Sequence, residues 1–518
     1  MATASEKGDV DVGHDEATRT FSNLDEKKDL QAINAAELNE HSALDKHLNR
    51  KFDRHILPWL FGIWLFSFID RSNIGNARIV GLTTDLNIVT GTGFNVALLV
   101  FYIPYILVDV PSNLLLKKFK AGVYLPTLIT GWGLVCTFTG FTKSFAGLIV
   151  CRLLLGLFEG GILGGVILYL SMFYRRHQLL YRSGLFYCAA PLSGAFGGLL
   201  ASAIGQISYG GYVHWPWIYF KPKIRFCKMM HSDRVSVEGI ATVIFGIICF
   251  FFMPDTPAMA KFLTDEEKEW ALRRMRLDAG DSTGVDVDEQ HYHWKWAKMA
   301  LLAPQTYFCS FIWFFLLIPL YSFSLFLPSI ISGMGYRSTI AQLLTAPPNM
   351  LGFLVVIASA HFSDKVKSRG IFIIAGTIVS AAGYVMLLVS NANSVKYAGT
   401  FLIAAGVFQA SPMLMGWAAN NLSPHYVRAV GVGMVISIAN CSAFIGTFIY
   451  LAKDAPKYTL GHSTSLAALI ITLFLCLAQI FYLNWENKKR IAGERDDRLL
   501  AEDVHDLGHR HPSFRYTL

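Results

Sequence analysis

Long apolar runs separated by short polar loops fill most of the chain between about residues 56 and 484. Each run is roughly 18 to 25 residues long, the length of helix that crosses a hydrocarbon core about 30 Å thick. One such run could be a buried helix of a soluble protein, but a dozen could not. The pattern therefore predicts an all-α polytopic membrane protein with twelve transmembrane helices, at about 56–76, 95–116, 123–141, 146–170, 183–205, 238–254, 305–330, 339–362, 370–390, 397–418, 427–451 and 464–484.

A charged segment near residues 255–303 divides the spans into two sets of six. Two similar bundles are typical of secondary transporters, which bind substrate between the halves near the bilayer midplane. The predicted order is a cytosolic disordered tail, an N-terminal six-helix bundle, a cytosolic linker, a C-terminal six-helix bundle and a second cytosolic tail. These parts occupy residues 1–54, 55–254, 255–303, 304–485 and 486–518.

The composition fits a membrane protein better than a soluble one. Charged residues make up 16% of the chain, below the roughly 25% of soluble domains. The net charge of +8 comes from short basic clusters between the apolar runs, such as Lys117-Lys118 and Arg175-Arg176. This is the pattern of cytosolic loops beside anionic lipids, and not of a face that binds nucleic acid. Both termini are accordingly predicted to be cytosolic.

One basic segment breaks this charge rule. Residues 221–237 carry Lys221, Lys223, Arg225 and Lys228 on the predicted outer side of the membrane. The segment lacks apolar periodicity, and the composition changes abruptly where it begins. Two interpretations stay open: an anomalous insertion from a translated short intron, or an external loop that attracts anionic substrates electrostatically.

Several short motifs occur along the chain in one order. They are Asp70-Arg71-Ser72-Asn73, Pro111-Ser112-Asn113, Arg152 followed by Glu159-Gly160-Gly161, the Gly194–Gly198 segment, and Pro254-Asp255-Thr256-Pro257. With these motifs the chain resembles the major facilitator superfamily, and within it the anion:cation symporter branch and the fungal allantoate/nicotinate permease-like group. The resemblance implies the two-bundle major facilitator fold, alternating access, and proton-coupled uptake of a small organic anion such as a vitamin, a ureide or another carboxylate. We expect a monomer in the plasma membrane.

Ionisable side chains inside membrane helices are costly, so each is a candidate for function. Arg152 and Glu159 are seven residues apart, two helical turns, and should face the same side of the fourth span. An arginine offers a planar fork that matches a carboxylate, and a glutamate beside it is suited to carry a proton. Gly156, Gly160 and Gly164 form a stripe of small residues, where a neighbouring helix can approach closely.

The resemblance implies roles for four charged residues. Arg71 and Arg152 would bind the substrate anion, and Asp70 and Glu159 would carry protons. The alternative is an Arg152–Glu159 or Asp70–Arg152 ion pair that holds helices together, and one pair could serve both purposes. Asp109 lies near the cytosolic end of its span and is more simply interpreted as structural.

Softer candidates for lining the cavity are polar or aromatic residues within the spans: Tyr105, Tyr321, Trp417 and Asn440. Aromatic side chains are equally common as packing residues and interface anchors. Both interpretations therefore stay open for these positions.

No motif in the sequence indicates catalysis, a metal site or a cofactor. The eight cysteines lack metal-ligand spacing, and neither an ATP-binding loop nor a nucleophilic triad is present. We therefore predict a transporter driven by an ion gradient and not an enzyme. The alternative with the same fold is an exporter of a small secondary metabolite, although the Asp70-Arg71 pair favours import.

Overall fold

The computed structural model describes residues 42–79, 82–88, 92–205, 237–283, 294–366, 368–423, 425–500 and 507–518. Within these ranges all regular secondary structure is helical. The membrane spans are α1 (Leu57–Ile79), α2 (Gly93–Lys118), α3 (Ala121–Thr139), α4 (Phe145–Glu159 and Ile162–Phe173), α5 (Arg176–Tyr187 and Ala189–Gly205), α6 (Val237–Phe252), α7 (Pro304–Gly333), α8 (Ser338–Leu343 and Ala346–Val366), α9 (Arg369–Val389), α10 (Asn393–Asn420), α11 (His425–Asn440 and Ala443–Gly446) and α12 (Thr459–Ile491).

Each of the twelve predicted spans coincides with a helix, so the predicted all-α membrane fold is confirmed. Of the helices that the structure describes, eight are long and apolar enough to cross a membrane by length and composition alone. Shorter apolar helices lie within α2, α5 and α6. The remaining span, α1, is less apolar in its second half because that half contains Asp70, Arg71, Asn73 and Asn76.

The spans pack as two six-helix bundles. In the N-terminal half α1 packs on α5, α2 packs on α4, and α3 packs on α4 and α6. In the C-terminal half α7 packs on α11 and α12, and α10 packs on α8 and α9. The halves meet where α1 faces α7, α5 faces α8, and α2 faces α11. A ligand held between the halves would therefore contact helices from both bundles.

The predicted stripe of small residues brings α4 against the backbone of α2. A Cβ atom at Gly156 would overlap the carbonyl oxygen of Phe101, and one at Gly160 would lie 2.5 Å from the carbonyl oxygen of Tyr105. Only glycine fits so close to another main chain. The close packing expected at these two positions is confirmed, and it places Glu159 beside α2.

The N-terminal segment contains a helix, Ser42–His55, inside the stretch predicted to be a disordered tail. Its apolar side chains Leu44, Leu48 and Phe52 recur every fourth residue, and the last two are fully buried. An amphipathic face of this kind holds an otherwise charged helix against a bundle. The predicted disorder therefore does not extend to Ser42–His55.

The linker between the halves is partly helical, as expected. Arg274 of the linker is fully buried and donates hydrogen bonds to Asp45 at 2.5 Å, to Asn49 at 3.0 Å and to the carbonyl oxygen of Phe173 at 2.7 Å. These hydrogen bonds connect the linker both to the helix Ser42–His55 and to the end of α4. The remaining helices are Leu82–Asp85, Asp265–Thr283 and Trp294–Leu301, with 3-10 turns at Pro257–Met259, Ala452–Asp454, Asp496–Leu500 and Gly508–Arg510.

The last residues of the chain, 507–518, fold back onto α9, α10 and α12. Arg490 of α12 donates to the carbonyl oxygens of His509 at 3.0 Å and Phe514 at 2.9 Å. The carbonyl oxygen of Thr517 accepts a 2.9 Å hydrogen bond from Trp417 Nε1. The final part of the predicted C-terminal tail is therefore packed against the C-terminal bundle.

The anomalous segment lies almost wholly outside the described residues. Residues 221–236 are not among them, and α6 begins at Val237. The translated-intron and external-loop interpretations of this segment both remain predictions.

Candidate functional site

Two adjoining cavities lie between the halves. Five residues line both of them: Phe68, Arg71, Ala190, Tyr321 and Phe408. The first, which we name the aromatic cavity, is further lined by Trp64, Tyr105, Leu163, Tyr187, Trp313, Leu317, Leu320, Ser411, Ile436, Ala439 and Asn440. The second, the polar cavity, is further lined by Ser72, Asn76, Tyr102, Ser193, Gly194, Ser324, Leu325, Leu327, Pro328, Thr345 and Asn349.

Arg71 is the charged residue that the two cavities share. Its side chain is only 9% exposed, and its Nε donates to Glu159 Oε1 at 2.6 Å. Its Nη2 is buried and has no hydrogen-bond partner among the described residues. One edge of the guanidinium is therefore held by a carboxylate, while one further N–H donor remains available to a ligand.

Aromatic rings surround the Arg71 guanidinium. The centroids of Tyr105, Phe68, Phe101 and Trp64 lie 4.8, 5.2, 5.3 and 6.0 Å from its central carbon. Such rings favour a cation near their faces and exclude water from it. The arginine is thus kept charged, oriented and poorly hydrated, which strengthens its attraction for an anion.

Glu159 is the last residue of the first helical part of α4, just before the turn at Gly160 and Gly161. It is 2% exposed and accepts hydrogen bonds from Arg71 Nε and from Ser67 Oγ. The buried carboxylate therefore joins α1 to α4. A proton on Glu159 would neutralise the partner of Arg71 and leave the arginine free to attract another anion.

Asp70 points into the N-terminal bundle and lines neither cavity. Its carboxylate accepts hydrogen bonds from Trp132 Nε1 at 2.6 Å and from Cys136 Sγ at 3.3 Å, both on α3. Neighbouring positions of α1 thus face different directions, with Arg71 toward the cavities and Asp70 toward α3. The proton-coupling role expected of Asp70 remains a prediction.

Arg152 is buried in α4 and also lines neither cavity. Its Nε has no hydrogen-bond partner among the described residues. The structure forms the Arg71–Glu159 ion pair and does not bring Arg152 to Glu159 as a hydrogen-bonded partner within the part of the chain it describes. Substrate binding by Arg152 therefore remains a prediction that these cavities do not support.

Three of the four softer candidates line the cavities. Tyr105 and Asn440 border the aromatic cavity, and Tyr321 borders both. Tyr321 donates a 2.6 Å hydrogen bond from its hydroxyl to Asn440 Oδ1, which links α7 to α11. Trp417 differs from its prediction, because its Nε1 is bound to the C-terminal segment and its ring lines neither cavity. Asp109 is buried and also lies outside both cavities.

Trp64, Ser67 and Trp313 belong to the site but were not predicted. The spacing along α1 places Trp64 and Phe68 on the same helix face as Arg71. Along α7, Trp313 is eight residues from Tyr321 and lies on the same side of that helix. The sequence therefore did contain a signal for Trp64 and Trp313, namely their helical spacing from the predicted site residues Arg71 and Tyr321. It could not show which face of α1 or α7 turns toward the other half.

The Major Facilitator Superfamily family model matches residues 60–451. The chain belongs to this superfamily. It is 35% identical to an uncharacterized transporter of Schizosaccharomyces pombe, over 95% of this chain and 93% of that protein. It is 31% identical to the MFS-type transporter efuF of Hormonema carpetanum, over 91% of each chain, and 31% identical to the high-affinity nicotinic acid transporter of Saccharomyces cerevisiae, over 91% of this chain and 85% of that protein.

A solved structure supports the fold independently. The chain is similar to a bacterial homolog of the human lysosomal transporter Spinster in an inward-facing, unoccupied conformation, with a TM-score of 0.59 and 13% sequence identity. The match covers 83% of this chain and 96% of that one. Because the superfamily consists of transporters, the protein is a multi-pass membrane transporter of a small molecule and not an enzyme.

Proposed function

We propose that the protein imports a small organic anion together with protons, as the resemblance to the anion:cation symporter branch implies. The observation that carries the proposal is Arg71, a buried arginine that lines both cavities and whose Nη2 lacks a partner among the described residues. The nicotinic acid transporter of Saccharomyces cerevisiae, a relative, is named for a carboxylic acid. An arginine fork matches a carboxylate and binds it through two parallel hydrogen bonds.

The Arg71–Glu159 pair supplies a physical route for coupling. In the structure Glu159 accepts a hydrogen bond from Arg71 Nε, so the two charges neutralise each other. Protonation of Glu159 would weaken this bond and free Nε beside the available Nη2. A substrate carboxylate could then bind both nitrogens side by side. Proton and anion would be transported together, because binding of each makes binding of the other more favourable.

The test is uptake of radiolabelled organic acids, with and without an uncoupler, at a series of external pH values. Uptake should rise as the external pH falls, because the inward proton gradient increases. Glu159→Gln should lose accumulation against a gradient yet retain exchange of internal for external substrate. Arg71→Lys keeps the positive charge but loses the planar fork, so apparent affinity should fall about tenfold or more.

Two results would contradict the proposal. Full pH-dependent accumulation by Glu159→Gln would move the proton site elsewhere, with Asp70 as the next candidate. Unchanged affinity in Arg71→Lys would remove Arg71 as the carboxylate ligand. Membrane insertion of each variant should be measured in parallel, so that loss of uptake is not confused with loss of protein.

The direction of transport is part of the same proposal. Vesicles loaded with substrate and given an inward proton gradient distinguish an importer from an exporter of a small secondary metabolite, because only an exporter would empty faster.

We further propose a plasma-membrane monomer with cytosolic termini. The basic loops between the spans support this orientation of the termini. Accessibility of tags at both termini in intact and permeabilised cells tests that orientation.

A further inference from the structure

Unpartnered N–H groups are concentrated in the aromatic cavity. Trp64 Nε1, Trp313 Nε1 and Asn440 Nδ2 are buried and have no hydrogen-bond partner among the described residues, like Arg71 Nη2. The four residues are between 2 and 8% exposed and all line this cavity. Leaving a buried donor without a hydrogen bond costs about 1–3 kcal/mol. A ligand that fits the aromatic cavity should therefore offer acceptors to these groups.

The donors lie on both halves of the transporter. Arg71 and Trp64 belong to α1, whereas Trp313 belongs to α7 and Asn440 to α11. The Asn440 amide is oriented by its Oδ1, which accepts the Tyr321 hydroxyl at 2.6 Å, and this leaves Nδ2 as the end without a partner. A ligand bound only to Arg71 would leave the donors of the C-terminal half unpaired.

The polar cavity differs from the aromatic cavity in the kind of group it leaves open. Besides Arg71 Nη2, which both cavities share, the buried atoms there without a partner among the described residues are Asn76 Oδ1, an acceptor, and Ser324 Oγ, a hydroxyl. Apart from the shared Arg71 Nη2, the unpartnered nitrogen donors of the described residues that line these two cavities all belong to the aromatic cavity. This difference indicates that the part of the substrate in the aromatic cavity carries the hydrogen-bond acceptors.

We propose that the substrate carries a second hydrogen-bond acceptor besides its carboxylate, and that Asn440 and Trp313 bind it. The acceptor is a ring nitrogen, a carbonyl oxygen or a second carboxylate. The inference rests on the proposed function, because it takes the carboxylate on Arg71 as the first anchor. It adds a specificity site in the C-terminal half, so that one molecule with two anchors joins the two bundles.

Selectivity follows from the burial of these donors. An acid of the same size whose remainder is apolar would enter the aromatic cavity but would leave the Asn440 and Trp313 donors dehydrated and unpaired. Each unmade hydrogen bond should weaken binding about tenfold. The transporter should therefore prefer the acid with the second acceptor by about tenfold to a hundredfold.

The experiment compares sets of acids that share a six-membered ring or a six-carbon chain. Benzoate is compared with pyridine-3-carboxylate, and hexanoate with 5-oxohexanoate and hexanedioate, by calorimetric titration of the purified full-length protein. In the unsubstituted protein the member with the second acceptor should bind at least tenfold more tightly in one or more sets. Asn440→Leu and Trp313→Phe should each reduce that preference about tenfold, because the simple acid then no longer leaves that donor unpaired. Trp485→Phe is the matched control, because Trp485 is an exposed residue of α12 that lines neither cavity.

The outcomes separate this proposal from the one on which it rests. If the acids bind but the two members of every pair bind equally, the second anchor is wrong and the carboxylate site stands. If preference persists in both variants, Asn440 and Trp313 are not the ligands and the proposal is overturned. If no acid binds, the proposed organic-anion function fails first and this inference fails with it. The comparison of acids on the unsubstituted protein remains decisive even if a variant does not fold.

Discussion

Substituting Gly156 by alanine would test the packing that places Glu159 beside α2. A methyl group at Gly156 would overlap the carbonyl oxygen of Phe101 and lie 2.8 Å from Pro104 Cγ. Neither neighbour can turn aside, because one is main chain and the other is a proline ring. The strain would have to be relieved by separating the two helices.

The size of the effect follows from these contacts. Non-bonded atoms settle at about 3.5–4.0 Å, so α4 and α2 would move apart by roughly 1 Å. Overpacking of this kind costs about 1–3 kcal/mol, and the higher helix propensity of alanine returns up to about 1 kcal/mol. We expect a net destabilisation of about 1–2 kcal/mol and a fall of roughly 1–2 °C in the midpoint of thermal unfolding.

Gly433→Ala provides the matched control. Gly433 lies in α11, and a Cβ atom there would meet nothing within 4 Å. This substitution should be neutral or slightly stabilising, since only helix propensity changes. Both variants and the unsubstituted protein would be heated in the same detergent at one scan rate. If Gly156→Ala unfolds at or above the midpoint of Gly433→Ala, the close contact between α4 and α2 is wrong.

Two further predictions concern the segments that pack against the ends of the bundles. Arg274→Ala should lower the free energy of unfolding by about 3–5 kcal/mol, because it leaves the buried Asp45 carboxylate without its arginine partner. Thermal unfolding measures this loss. An equal loss in Arg273→Ala, at the exposed neighbouring position, would contradict the prediction. Burial lowers the pKa of His509 to about 4, and nearby arginines act in the same direction. Its neutral form is therefore favoured in the docked segment, so docking should be complete above about pH 6.5 and weaken as the pH falls toward 4. Hydrogen exchange of residues 507–518 at several pH values measures this, and His509→Gln should remove that pH dependence; an unchanged profile would assign it to another group.

The membrane spans could be predicted from the sequence because bilayer thickness imposes a length on every apolar run. The docked ends of the chain could not. The helix Ser42–His55 is rich in charge, and its burial depends on Leu48 and Phe52 meeting α4 and the linker. The C-terminal segment docks through backbone carbonyl groups that accept from Arg490 and Trp417, and backbone groups leave no signature in residue identity. For the same reason the sequence could not show that Trp417 contacts this segment.

The sequence located the charged side chains within the membrane spans but could not predict how they pair. The spacing of Arg152 and Glu159 places both on one side of α4, but an ion pair between helices depends on how each helix is rotated about its axis. The rotation of α1 brings Arg71 to Glu159 and turns Asp70 toward α3. A sequence shows which charges lie within the membrane, whereas only packing shows which of them face the substrate. The contacts of α1 with α4 and α7 therefore place Arg71, and not Arg152, at the cavities between the halves.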